Sequence, residues 1–147
     1  MSREALAKKM FDVIPPFMNL LRTEIKECAR PSLTVPQFRV LANIHCGLIH
    51  VVDIANHHGV SQPSMTKLIN NLVDKGLVSR KTGVSDRRMV DLQLTGDGQK
   101  LLKRIKKQAY KRVSGRFKAL SDAEVSTLID FMDSAQGTLY KITGEES

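Results

Sequence analysis

Between Gln62 and Asn71 the chain reads QPSMTKLINN. Wound as a helix, this stretch and the residues after it put Met65, Leu68, Ile69, Leu72 and Val73 at i, i+3, i+4, i+7 and i+8, one apolar stripe. Pro63, Thr66, Lys67, Asn70 and Asp74 fall opposite, with Gln62 and Ser64 near the start. Amide side chains match the edge of adenine, an ammonium matches the guanine acceptors, and a hydroxyl serves base or phosphate. An ordinary solvated face has similar polarity but usually mixes in acids. Here the surface has no Glu and its one Asp, Asp74, stands at the far end. Ser61 precedes the helix as its cap, where free backbone N–H groups and the positive dipole end suit a phosphate. Further on, Asp86-Arg87-Arg88 sets two guanidinium groups in a turn-forming stretch, with Arg80 on the approach to it. A projecting arginine gains most in a narrow A·T-rich minor groove. Asp86 either orients the arginines or closes the turn.

Something must hold these groups. Thr34-Val-Pro36-Gln37 is a helix start, with a Thr cap, Pro in the first turn and Gln placed to complete a capping box. Phe38, Leu41, Ala42 and Ile44 follow, to an end near Gly47. A short helix is predicted from about Val51 to His58, stopped by Gly59. The polar-faced helix then runs from Ser61 to Gly76. Leu77–Lys81 and Met89–Leu94 alternate as two strands, with Thr82–Arg88 as the tip and Gly83, Ser85 and Asp86 as its turn formers. Two helices, a polar outer face and a basic-tipped hairpin make a winged helix-turn-helix spanning 34–95, a module that reads double-stranded DNA.

The flanks read as helices. Leu6, Met10, Val13, Ile14, Phe17, Leu20, Leu21, Ile25 and Cys28 recur at helical spacing, interrupted by Pro15 and Pro16. A kink or a restart capped by Asp12 is expected there. Thr95 caps a helix to about Leu120, with Leu101, Leu102, Ile105, Ala109, Val113 and Phe117 inward. Ser121-Asp-Ala-Glu124 is the capping box of a last helix carrying Val125, Leu128, Ile129, Met132, Ala135 and Leu139. Both ends carry more apolar face than one winged module can cover. Segments 5–28 and 100–140 are therefore expected to pair two copies. The fold class is mainly α with a small β-hairpin wing: one domain over 1–147, with 1–33 and 96–147 as its helical dimerisation part.

At 147 residues the chain is long enough for a sizeable core. Lys and Arg number 23 against 15 Asp and Glu, a net charge of +8 that favours a polyanionic partner. No secretory pattern opens the sequence and no apolar run approaches a membrane span, so a cytoplasmic protein without membrane contact is expected. A Gly-rich phosphate loop, paired catalytic carboxylates and a Ser/His/Asp set are all missing, which argues against an enzyme, and no cofactor is expected. His45, His50, His57 and His58 lack metal-ligand spacing, so no metal site is expected, and His58 reads as an inward, hydrogen-bonded ring.

Cys28 lies beside Lys26 and Arg30, which favours a thiolate and makes it the redox candidate. Cys46 ends an apolar helix and reads as buried. For both, two small core residues is the plainer reading. From Lys100 to Lys118 nine basic residues occur without an acid, either a solvated face or a wall for phosphates or an anionic effector. A winged helix used only for protein contact is the competing reading. It predicts a neutral or acidic tip, unlike Asp86-Arg87-Arg88.

The chain resembles the MarR family, the multiple-antibiotic-resistance-type transcriptional regulators. The resemblance rests on Thr34-Val-Pro-Gln37-Phe-Arg-Val-Leu41, Gly59-Val-Ser-Gln-Pro-Ser-Met-Thr-Lys-Leu68, Gly76-Leu-Val-Ser-Arg80, Asp86-Arg-Arg88 and Val90-Asp-Leu-Gln-Leu-Thr95, and covers nearly the whole chain. It implies a homodimer with interlocked first and last helices. It also implies recognition-helix contacts from Ser64, Thr66 and Lys67, and a minor-groove arginine at Arg88. Many members are repressors released by small anionic aromatic ligands or by thiol oxidation. Two residues depart from the family pattern: His50 replaces a capping Ser or Thr, and His58 replaces a core-facing Leu.

Overall fold

The computed structural model describes residues 2–84 and 86–144. Ser85, one of the expected turn formers, lies outside the described residues. The elements run α1 (Arg3–Ala29), α2 (Val35–His45), α3 (Val51–His58), α4 (Gln62–Asp74), β1 (Val78–Thr82), β2 (Val90–Leu94), α5 (Gly96–Arg116), a 3-10 turn (Phe117–Ala119) and α6 (Asp122–Thr143). The chain forms two compact units, one up to Tyr110 and one from Lys111 onward, with the division inside α5.

Local chemistry sets most boundaries. Thr34 and Gln37 form a complete capping box on α2, and Ser121 and Glu124 another on α6. Ser61 caps α4 by accepting the Ser64 N–H at 3.3 Å. Gly59 closes α3 in the left-handed region at φ 65°. Thr95 Oγ1 accepts the Gly98 N–H at 3.0 Å and donates to the Gly76 carbonyl at 2.6 Å, fastening the start of α5 to the turn after α4.

The strands pair antiparallel, from Val78 opposite Leu94 to Thr82 opposite Val90. The Leu92 N–H also donates to the Ile49 carbonyl at 2.9 Å, so the base of the hairpin is stitched to the segment before α3.

The core belongs to the first unit. Leu41, Ile54, Met65, Ile69, Leu72, Leu92 and Ile105 are fully buried, drawing α2, α3, α4, β2 and α5 onto one centre. Each such side chain contributes about 1.5–3 kcal/mol on burial. Gln37 adds a polar tie: its carbonyl accepts the Thr34 N–H at 2.9 Å while its amide donates to Asn71 at 2.7 Å, joining the start of α2 to α4.

Three expectations change. α1 runs unbroken through Pro15 and Pro16, with no restart at Asp12. A proline's φ is already helical, and the bonds on either side carry the helix past the missing donors. Cys46 is exposed rather than buried, because it is the C-cap residue of α2, past its inward face. Phe117 is exposed and falls in the 3-10 turn beyond the end of α5, so it leaves the inward line. The excess apolar face expected of the flanking helices does stand outside: Leu6, Met10, Val13 and Ile14 of α1 are exposed, α6 has no buried residue, and Ile129, Met132 and Leu139 stand open on it.

His58 is half-buried and bonds Asn43 through Nε2 at 2.7 Å. Burial, then the positive charges of Arg39 and His57, hold its ring below the ordinary imidazole value. In that state the unfolded chain binds the proton first as pH falls. Stability associated with His58 is therefore full above about pH 6.5 and declines as pH drops toward the folded-state value. Replacing His58 with Leu is expected to flatten the decline in melting temperature between pH 7 and 5. An unchanged pH profile would locate the acid sensitivity elsewhere.

Candidate nucleic-acid interface

The helix-turn-helix consists of α3, the Gly59-Val60-Ser61 turn and α4. Pro63 sits in the first turn of α4, where backbone donors have no helical partner. Met65, Ile69 and Leu72 anchor the helix in the core, and this fixes which face looks out. Gln62, Pro63, Ser64, Lys67, Asn70, Asn71 and Asp74 are exposed on that face; Thr66 is half-buried. Shallow depressions on either side of Lys67 run along the helix.

The candidate side chains differ in how free they are. Ser61 is committed to capping, and its hydroxyl also donates to Ser64 Oγ at 2.9 Å. Arg80 on β1 donates to the Asn70 side-chain carbonyl, so these two act as a pair across the groove between α4 and the hairpin. Asn71 is taken by Gln37. Lys67, Arg87 and Arg88 are exposed, and among the described residues their side chains make no hydrogen bond or ion pair. Among these candidates the unspent cations are therefore one ammonium on α4 and two guanidinium groups at the hairpin tip.

The tip is built by backbone and carboxylate chemistry. Asp86 Oδ1 accepts the Arg88 N–H at 2.9 Å, and the Asp86 carbonyl accepts the Met89 N–H at 3.1 Å. Asp86 thus closes the turn through the backbone and leaves both guanidinium groups outward. Gly83 donates to the Met89 carbonyl at 2.8 Å, and a Cβ there would stand 2.3 Å from the Asp86 carbonyl oxygen. The tip closes this tightly only because that position lacks a side chain.

Two more residues belong to this region: His50, already noted for its departure from the family pattern, and Asp91, which pattern reading passed over. His50 is the N-cap residue of α3 but makes no capping bond. Its Nε2 lies 2.9 Å from Asp91 Oδ1 on β2, and its Nδ1 lies 3.4 Å from Asp53 Oδ2. The other Asp91 oxygen accepts the Val84 N–H at 3.3 Å, at the root of the tip. The available signal was an imidazole where a capping hydroxyl is usual.

Elsewhere, Cys28 is buried in the core. Lys100, Lys103, Arg104, Lys107 and Lys111 form an exposed cationic ridge on α5, opposite Leu102, Ile105 and Ala109. Among the described residues no group of His, Cys, Asp and Glu could hold a metal ion, and no helix is long and apolar enough to cross a membrane.

Residues 33–90 match the family model described as MarR family. The chain is 40% identical over 98 residues to the putative transcriptional regulatory protein for the hcr operon of Thauera aromatica, covering 58% of this chain and 57% of that one. It is 30% identical over 103 residues to the uncharacterized HTH-type transcriptional regulator YfiV of Bacillus subtilis, covering 69% of this chain and 64% of that one. It thus spans under two thirds of either relative's length. In fold it is similar to wild-type MarR from E. coli in its apo form, at a TM-score of 0.75 and 24% identity over 86% of this chain and 96% of that one. A cysteine-to-serine mutant of that protein, complexed with operator DNA, matches at a TM-score of 0.65 and 22% identity over 92% and 99%.

Proposed function

We propose, from the match of residues 33–90 to the MarR-family model, that the chain is a sequence-specific double-stranded DNA-binding transcriptional regulator rather than an enzyme. The observation that carries this reading is the set of unpaired cations at Lys67, Arg87 and Arg88, beside a polar α4 face whose one acid lies at its far end. A major groove admits a helix, and Lys67 then meets guanine acceptors while Gln62, Ser64, Thr66 and Asn70 flank it. Ser61 and the start of α4 approach a phosphate. Arg80 reaches the backbone through its pairing with Asn70, and Arg88 enters the adjacent minor groove.

The open apolar faces of α1 and α6 support a homodimer joined through segments 5–28 and 100–140. Two-fold symmetry then calls for an inverted repeat with half-sites about one helical turn apart, roughly 10 bp centre to centre. Repression, and release by a small anionic aromatic ligand, complete the proposal by following the family pattern. Selection from a random duplex pool tests the central reading: recovery of a palindrome supports it, and a pool without enrichment defeats it. Sedimentation at micromolar concentration should give a dimer. A monomer there would remove the symmetric operator.

Lys67→Ala is expected to weaken binding to the selected site by about 1–3 kcal/mol and to relax preference at one base pair, as for a base-reading cation. Equal weakening on all duplexes, seen in a panel of single-base variants, would make Lys67 a phosphate contact instead.

A further inference from the structure

His50 and Asp91 are 41 residues apart in sequence, on the segment entering α3 and on β2, and meet at 2.9 Å. His50 belongs to the helix-turn-helix as the residue from which α3 starts. Asp91 belongs to the hairpin, and its second oxygen holds the Val84 N–H at the root of the tip. Gly83 also lies against this carboxylate, since a Cβ there would stand 3.3 Å from Asp91 Oδ1. The result is a run of hydrogen bonds from the start of α3, through an imidazole and a carboxylate, to Val84 at the root of the tip that carries Arg87 and Arg88. Both side chains are partly withdrawn from water, at 29% and 19% exposure, so the bond is better protected than a surface pair. Asp53 braces the far side of the ring. Lys81, cross-strand from Asp91 in the ladder, is exposed.

We propose that His50 is a positioning residue for the wing: through Asp91 it sets where the Arg87–Arg88 tip stands relative to α4, and so lets one duplex be gripped in both grooves at once. This rests on the DNA-binding reading. It adds that the two grips are coupled through a side-chain link, beyond the β-ladder and the Leu92–Ile49 backbone bond. An imidazole cannot cap α3 as a hydroxyl does, and here it is directed at the hairpin instead.

The test uses the full chain, a selected duplex and backbone amide relaxation of residues 84 and 86–89 by NMR. His50→Ala and Asp91→Ala should each raise the mobility of those amides in the free protein. Each should weaken duplex binding by about three- to tenfold, the range of the net contribution of one typical hydrogen bond. His50→Gln, which keeps a donor, should recover most of both effects. In a background with both Arg87→Ala and Arg88→Ala, His50→Ala should cost no further affinity, because a tip without its arginines gains nothing from placement. An equal loss in both backgrounds would show a general structural role and overturn the proposal, as would unchanged amide mobility in His50→Ala. If Arg88→Ala leaves binding intact, the DNA-contact reading of the wing fails, and the relaxation data still decide whether His50 positions the hairpin.

Discussion

Gly98→Ala is expected to lower the stability of the fold by about 3 kcal/mol, although helix propensity alone favours alanine there by roughly 1 kcal/mol. An added Cβ would sit 2.1 Å from the Leu77 carbonyl oxygen and 3.0 Å from its carbon. Neither atom belongs to a flexible side-chain end, so the start of α5 or the α4–β1 turn must move. That turn is already committed: the Leu77 carbonyl accepts the Thr95 N–H at 3.0 Å, and the Gly76 carbonyl accepts the Thr95 hydroxyl. Moving it disturbs the base of the hairpin together with the helix. A drop of about 10 °C in the melting midpoint is the corresponding observation for a chain of this size. Gly115→Ala is the control, because a Cβ there meets nothing within 4 Å and only the propensity gain remains. Equal melting of the two variants would show that α5 can shift without cost and that the tight approach is incidental.

Arg88→Ala is expected to produce the largest loss of DNA affinity from a single substitution, because the proposed symmetric dimer would lose the contact twice. A charge-assisted contact is worth about 1.5–3 kcal/mol, so the two half-sites together weaken binding by a hundredfold or more. The loss should be greatest where the flanks are A·T-rich and the minor groove is narrow. The slope of log affinity against log salt should fall by about one contact per subunit. Asp86→Ala should act in the same direction but less strongly, since Asp86 holds the Arg88 backbone rather than its guanidinium. Titrations on A·T-flanked and G·C-flanked sites across a salt series distinguish the cases. Equal losses on both flanks would make Arg88 an ordinary phosphate contact.

The parts of this fold that could be read in advance are those set by neighbours in the chain. Thr34 with Gln37, Ser61 with Ser64, and Ser121 with Glu124 act over three residues, so their helix starts are visible as residue patterns. The apolar stripe of α4 is likewise a matter of spacing, and with it came the outward face that carries Lys67. The contacts that escaped reading join distant residues. Gln37 to Asn71, Arg80 to Asn70 and His50 to Asp91 depend on how helices and hairpin come together, and no local period announces them. They matter to the site because they determine which polar groups are already spent. Seen as sequence, Asn70 is as available as Lys67, whereas the folded chain pairs it with Arg80. Pro15 and Pro16 show the opposite error, in which a strong local signal for interruption is outvoted by the helix on either side.

The cationic ridge of α5 has a consequence for how the chain responds to its ionic surroundings. Lys100 and Arg104, Lys103 and Lys107, and Lys107 and Lys111 stand four residues apart on one exposed helix face. Each such like-charge pair works against its helix by about 0.2–0.5 kcal/mol at low salt. Added electrolyte shortens the reach of that repulsion and steadies the helix. The same electrolyte competes with every cation that would grip a phosphate. On the proposed DNA-binding reading, α5 and the duplex therefore have opposite salt preferences: dilute buffer favours the tightest complex and the least steady α5, and concentrated buffer the reverse.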